Sequence, residues 1–173
     1  MLTAICLGLL LFLVVRPLDR IGYSYRLTLA DIGTALLALF VYALIGLPLG
    51  IALGFIRPGL ATFEPASWLV RLLAIYFLTA IPEELLFRGA IQNLIEQRFG
   101  RTWATLAIAA IIFGLSHLNN TTAHNMPPNW PYVIMATLAG LTYGWTWRSR
   151  GKITASAITH TLVNFIWGVV FRS

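Results

Sequence analysis

The stretch Ile81–Ala90, IPEELLFRGA, lies inside a run that otherwise reads as a membrane helix. It carries Glu83, Glu84 and Arg88, and each charge at the centre of a bilayer costs about 2.5–3.5 kcal/mol on insertion scales. Glu84 and Arg88 are four residues apart, so they share one helix face and can pair, which reduces the desolvation cost. Glu83 is turned about 100° away, with no local cation. Pro82 lacks an N–H, so the helix is expected to kink or open there, and Gly89 leaves room for a close neighbour. An ion pair that merely ties helices together needs one Glu and one Arg. The spare carboxylate is what points to function, because ionisable residues inside membranes mark sites.

Around this stretch the composition is that of a membrane protein. Of 173 residues, 58% are hydrophobic and 10% charged, against about 25% charged in soluble domains. The length suits one integral-membrane domain, residues 1–173. The net charge is +6, yet no basic patch with interleaved aromatics suggests nucleic acid. The only cysteine, Cys6, excludes an intrachain disulfide and a cysteine metal cluster.

Six apolar segments run near Leu2–Val15, Asp31–Ile56, Trp68–Ile95, Thr102–Leu118, Tyr132–Trp147 and Ile153–Phe171. A spanning helix needs roughly 17–25 residues. The second, third and last segments meet that; the others need local thinning of the bilayer or extension into loops. The expected fold is therefore all-α, a polytopic bundle of about six membrane-spanning helices. The first segment lacks a basic leader and a small-residue cleavage site, so it is expected to be a retained helix.

Loop charges set the topology. Loops one, three and five hold Arg16, Arg20 and Arg26, then Arg98 and Arg101, then Arg148, Arg150 and Lys152. The opposite side holds Arg57 and Arg172. This alternation predicts six spans with both termini outside. Arg71 is expected to snorkel to the outer interface. The loop Asn119–Pro131 has no Lys or Arg, and its His124 reads as an ordinary loop residue. Its overlapping sequons at Asn119 and Asn120 matter only in a secretory pathway.

Two further stretches carry polar groups into apolar segments. In FGLSHL, Phe113–Leu118, Phe113 and His117 share a face. In HTLVN, His160–Asn164, an imidazole and a carboxamide do the same. Taken singly, His117 reads equally as an interfacial residue, and His160 with Asn164 as interhelical hydrogen-bond glue. Depth joins them. At about 1.5 Å per residue, Glu83 lies roughly 20 Å from Glu96, and His117 about 22 Å from Thr102. His160 and Asn164 lie roughly 12 and 18 Å from Lys152. These similar heights, on helices of alternating direction, predict one polar chamber in the outer half of the bundle.

No Ser, Cys or Lys is paired with a base in a nucleophile motif; Ser116 and Ser156 read as packing residues. A water nucleophile is the expectation. Glu83 would take its proton and later deliver it to the leaving amine. His160 and Asn164 would donate to the developing oxyanion.

The same three stretches carry a resemblance. EELLFRG matches E-E-x-x-x-R, FGLSH matches F-x-x-x-H and HTLVN matches H-x-x-x-N, in that order and in separate apolar segments. The chain thus resembles the CAAX prenyl protease type II and bacteriocin-processing intramembrane protease family (CPBP, or Abi) over about Trp68–Phe171, with residues 68–171 as its catalytic core. The resemblance implies a glutamic-type intramembrane endopeptidase acting on a membrane-associated peptide or protein tail. It implies that Glu83 and His117 activate water, that His160 and Asn164 form the oxyanion site, and that Glu84, Arg88 and Phe113 organise them. No metal or other cofactor is expected, and the partners are the substrate and the lipid bilayer. The compact size suggests a prokaryotic cell membrane. Two rivals stand beside this reading. A zinc protease would use Glu83, Glu84, His117 and His160, but no H-E-x-x-H occurs and Arg88 disfavours a cation. A non-catalytic chaperone or bacteriocin-immunity factor would use the cluster to bind a partner. Ion transport is weaker still, with no inverted repeat.

Overall fold

The computed structural model describes residues 6–7, 10–15, 17–24, 26–58, 65–122 and 125–172. Arg16 and His124 lie outside the described residues. Six helical elements follow one another: α1, Leu10–Val15, which is π-helical; α2, Leu29–Ala52; α3, residues 65–99; α4, Trp103–Leu115; α5, Trp130–Arg150; and α6, Ile153–Val170. The expected all-α class holds. The sole departure among the described residues is a two-residue antiparallel pair, β1 (Arg57–Pro58) with β2 (Phe171–Arg172). Two helices, α2 and α6, are long and apolar enough to cross a membrane, and α4 is apolar but shorter. The expectation of six spans is met at that level by two.

Local chemistry starts and stops these helices. Thr28 accepts from the Asp31 N–H while Asp31 reaches back to the Thr28 N–H, a capping box at the start of α2. Thr102 and Thr105 do the same for α4. Asn129 caps α5 through the Tyr132 N–H. Gly151, in the left-handed region at φ 62°, ends that helix.

Within α3 the opening expected at Pro82 takes a definite form. The helix runs unbroken through Pro65–Ala74, Ile75–Ala80, Ile81–Glu84, Leu85–Gln92 and Asn93–Phe99, and the second and fourth of these stretches are π-helical. The Ile81 N–H reaches back five residues to the Tyr76 carbonyl. Such wide turns accommodate the proline ring and the hydrogen bond it removes, and they recur at functional sites.

Small residues let the helices approach. A Cβ on Gly114 would lie 2.0 Å from Thr137 Oγ1 and 2.7 Å from the Val133 carbonyl oxygen, so α4 and α5 meet almost backbone to backbone. The basic loops gather at one end of the bundle. There Arg150 and Lys152 each lie 2.7 Å from the buried Asp31 carboxylate, Arg148 lies 2.7 Å from Glu96, and Lys152 donates to the Arg26 carbonyl. Arg57 and Arg172 pair in the β-bridge between the α2–α3 connection and the chain's end. Loops one, three and five therefore share one end, as their common charge requires.

Candidate active site

Glu84 is fully buried and holds the site together from behind. One of its oxygens lies 3.2 Å from Arg88 Nε and accepts a short hydrogen bond from the Ser156 hydroxyl. The other lies 2.9 Å from His160 Nδ1. Arg88 is itself buried. It donates to the Gly140 carbonyl through Nη2 at 3.2 Å, and its guanidinium lies 4.4 Å above the Phe113 ring. A buried carboxylate and a buried cation are tolerable only with such partners. The pairing expected from the four-residue spacing is thus formed, and it ties α3 to α5 and α6.

Glu83 points elsewhere. Its side chain is 15% exposed and His160 Nε2 stands 3.9 Å from its carboxylate, a gap that suits a bridging water better than a direct bond. Glu83, Phe113, His117, His160 and Asn164 all line one cavity of about 690 Å³. Glu84 and Arg88 do not line it; they buttress it. All seven candidate residues are therefore gathered in one place, five on the cavity wall and two behind it.

The hydrogen bonds dictate which imidazole nitrogen is available. His117 Nδ1 lies 2.8 Å from the Phe113 carbonyl oxygen. A carbonyl only accepts, so Nδ1 carries the proton and the neutral ring keeps Nε2 as an acceptor. His160 Nδ1 faces the Glu84 carboxylate, which also only accepts, so Nδ1 again carries the proton. Its Nε2 becomes a donor only when the ring is an imidazolium. Aromatic rings fix both imidazoles: Tyr143 stacks on His160 at 4.6 Å and 15°, and Phe113 lies edge-on to both His117 and His160.

Two site residues escaped the sequence reading. Ser156 was expected to be packing, yet its hydroxyl donates to Glu84, with the Tyr143 carbonyl oxygen 2.9 Å away. The signal was present: Ser156, His160 and Asn164 recur every four residues on one stripe. Tyr143 carried no signal, since nothing in its neighbours singles it out. Arg71, expected at the outer interface, lines the cavity instead. Among the described residues no three His, Cys, Asp or Glu side chains are grouped to hold a metal ion.

A family model for type II CAAX prenyl endopeptidases, Rce1-like, matches residues 65–166. The chain belongs to this family. Its members are membrane-embedded proteases, and the two apolar helices found here fit that setting. The match begins at the start of α3 and takes in all three motif stretches. Neither a curated protein nor a solved structure matches the chain. Outside the matched region, Tyr42 on α2 and Phe55 after it also line the cavity, so the Rce1-like core of this chain shares its chamber with the preceding helix.

Proposed function

We propose that the chain is an intramembrane endopeptidase of the glutamic type, which hydrolyses a peptide bond in a membrane-associated peptide or protein tail. Glu83 takes a proton from water as the oxygen adds to the scissile carbonyl carbon, and His117 Nε2 holds that water as a second acceptor. The carbonyl oxygen becomes an oxyanion that accepts from Asn164 Nδ2 and His160 Nε2. His160 serves in this role as an imidazolium, with Glu84 balancing its charge and Arg88 balancing that of Glu84. The C–N bond then breaks, and Glu83 returns its proton to the departing amine. Glu84, Arg88 and Phe113 hold these groups in place. In this reading residues 1–173 form one domain of six spans in a prokaryotic cell membrane, with residues 68–171 as the catalytic core.

The single observation that supports the reading is the meeting of Glu83, His117, His160 and Asn164, from three helices, on one cavity. A structural ion pair explains Glu84 and Arg88. It leaves unexplained a carboxylate facing open space beside two imidazoles. The test is Glu83→Gln in purified protein, with a membrane-peptide substrate found by comparing peptide termini between wild-type and variant strains. Cleavage falls by roughly 10²–10⁴-fold, the usual worth of general acid–base catalysis, while folding and insertion persist. Wild-type cleavage by the variant overturns the mechanism. Intact biological function without cleavage favours a binding role.

A further inference from the structure

Arg71 is the only Arg or Lys on the cavity wall, and Glu83 the only carboxylate. Both stand on α3, twelve residues apart. None of the ion pairs among the described residues includes Arg71. Its guanidinium instead lies against Gly168 of α6: a Cβ there would meet Nη2 at 2.0 Å and Cζ at 2.8 Å. The missing side chain at position 168 makes the seat on which the cation rests. Asn120, Thr121 and Thr122, from the loop after α4, line the same cavity.

A cation kept unpaired inside a chamber that cleaves peptides needs an anion that comes with the substrate. The planar guanidinium matches a carboxylate through two parallel hydrogen bonds. The spacing selects which carboxylate. Gly168 lies eight residues beyond His160 on α6, about 12 Å along the axis. An extended peptide covers about 3.3–3.6 Å per residue, so three or four residues bridge that distance. We propose that Arg71, laid across Gly168, takes the free C-terminal carboxylate of the substrate and thereby sets the cleaved bond three or four residues from the chain's end. Arg71 is then a specificity determinant that acts as a molecular ruler; this rests on the endopeptidase reading above.

The test uses one apolar, dye-labelled peptide made in two forms, with a free C-terminal carboxylate and as the C-terminal amide. Cleavage and binding are both measured in detergent micelles and again in vesicles containing phosphatidylglycerol. Wild-type protein prefers the acid by roughly 10-fold to 100-fold, the range for a hydrogen bond to a charged group. Arg71→Ala cleaves both forms at the amide's rate. Gly168→Ala keeps the cation but pushes it off its seat, so the preference shrinks with Arg71 unchanged. The atoms it would displace belong to the end of a flexible side chain, so this variant folds. Equal handling of acid and amide by wild type, or an unchanged preference in Arg71→Ala, overturns the ruler and leaves the endopeptidase intact. Failure to cleave either form, with an Arg71-dependent preference for binding the acid, overturns the endopeptidase and leaves the carboxylate site. An Arg71 effect seen only with phosphatidylglycerol assigns the cation to lipid phosphate and overturns the proposal.

Discussion

Glu83 and Glu84 are neighbours in sequence with opposite surroundings, so the same isosteric change at each has opposite consequences. Glu84→Gln removes the charge that faces Arg88 at 3.2 Å and His160 at 2.9 Å, in a place with no exposure. Arg88 cannot lose its proton or reach water, and breaking a buried pair by removing one partner costs about 3–5 kcal/mol. At about 2–4 °C per kcal/mol for a chain of this size, the thermal midpoint falls by roughly 6–20 °C. Glu83→Gln removes a charge whose nearest ionic partner is 3.9 Å away, on a wall open to the cavity. Its stability changes by less than about 1 kcal/mol, the scale of weak, partly solvated pairs. Thermal unfolding of both variants in one detergent, followed by tryptophan fluorescence, measures the contrast. Equal losses in the two variants, or a Glu84→Gln protein as stable as wild type, would refute the division into a buttress and a reacting group.

Ser156→Ala removes the hydroxyl that donates to Glu84. It costs about 1.5–3 kcal/mol of stability, as for hydrogen bonds to charged groups, and Ser156→Thr, which keeps the hydroxyl, recovers part of that in the same melting assay. Asn164→Ala lowers kcat by about 10²–10³-fold, the usual loss on removing one oxyanion donor, with KM and thermal midpoint little changed. Gly114→Val drives a Cβ to 2.7 Å from the Val133 carbonyl. Backbone must then move, and a folded yield near that of wild type on size-exclusion chromatography would contradict the close α4–α5 contact.

The helical class was legible because apolar runs and loop charges obey simple physics. Basic residues in alternate loops placed Arg26, Arg148, Arg150 and Lys152 at a common end, and their contacts with Asp31, Glu96 and one another are there. The shared chamber was legible from depth counting, because rise per residue is nearly constant along a helix. Rotation is less constant. The π-helical stretches flanking Ile81–Glu84 change the angle at which every later side chain of α3 emerges, and no periodicity argument reports such a change. Tyr143 was invisible for a different cause. An aromatic on an apolar helix looks the same in sequence whether it faces a hydrocarbon chain or an imidazole.

Arg71 shows where reading by residue type fails outright. A lone arginine one turn inside a membrane segment satisfies the snorkelling rule, and nothing in its own helix argues otherwise. What redirects it is a glycine almost a hundred positions later. Gly168 follows Asn164 by four residues and His160 by eight, so the seat for the cation continues the stripe that carries Ser156, His160 and Asn164. One face of α6 thus presents in succession a hydroxyl to the buttressing carboxylate, an imidazole between the two glutamates, a carboxamide to the cavity and an empty place for a guanidinium. The order along that face matches the order in which a peptide end laid along α6 would meet them, from the bond to be cut to the terminal carboxylate. If that stripe is the track, substitutions at Ser156 and Asn164 leave the position of cleavage unchanged while altering its rate. Gly168→Ala alters which bond is cut, and mass spectrometry of the released fragments separates the two effects.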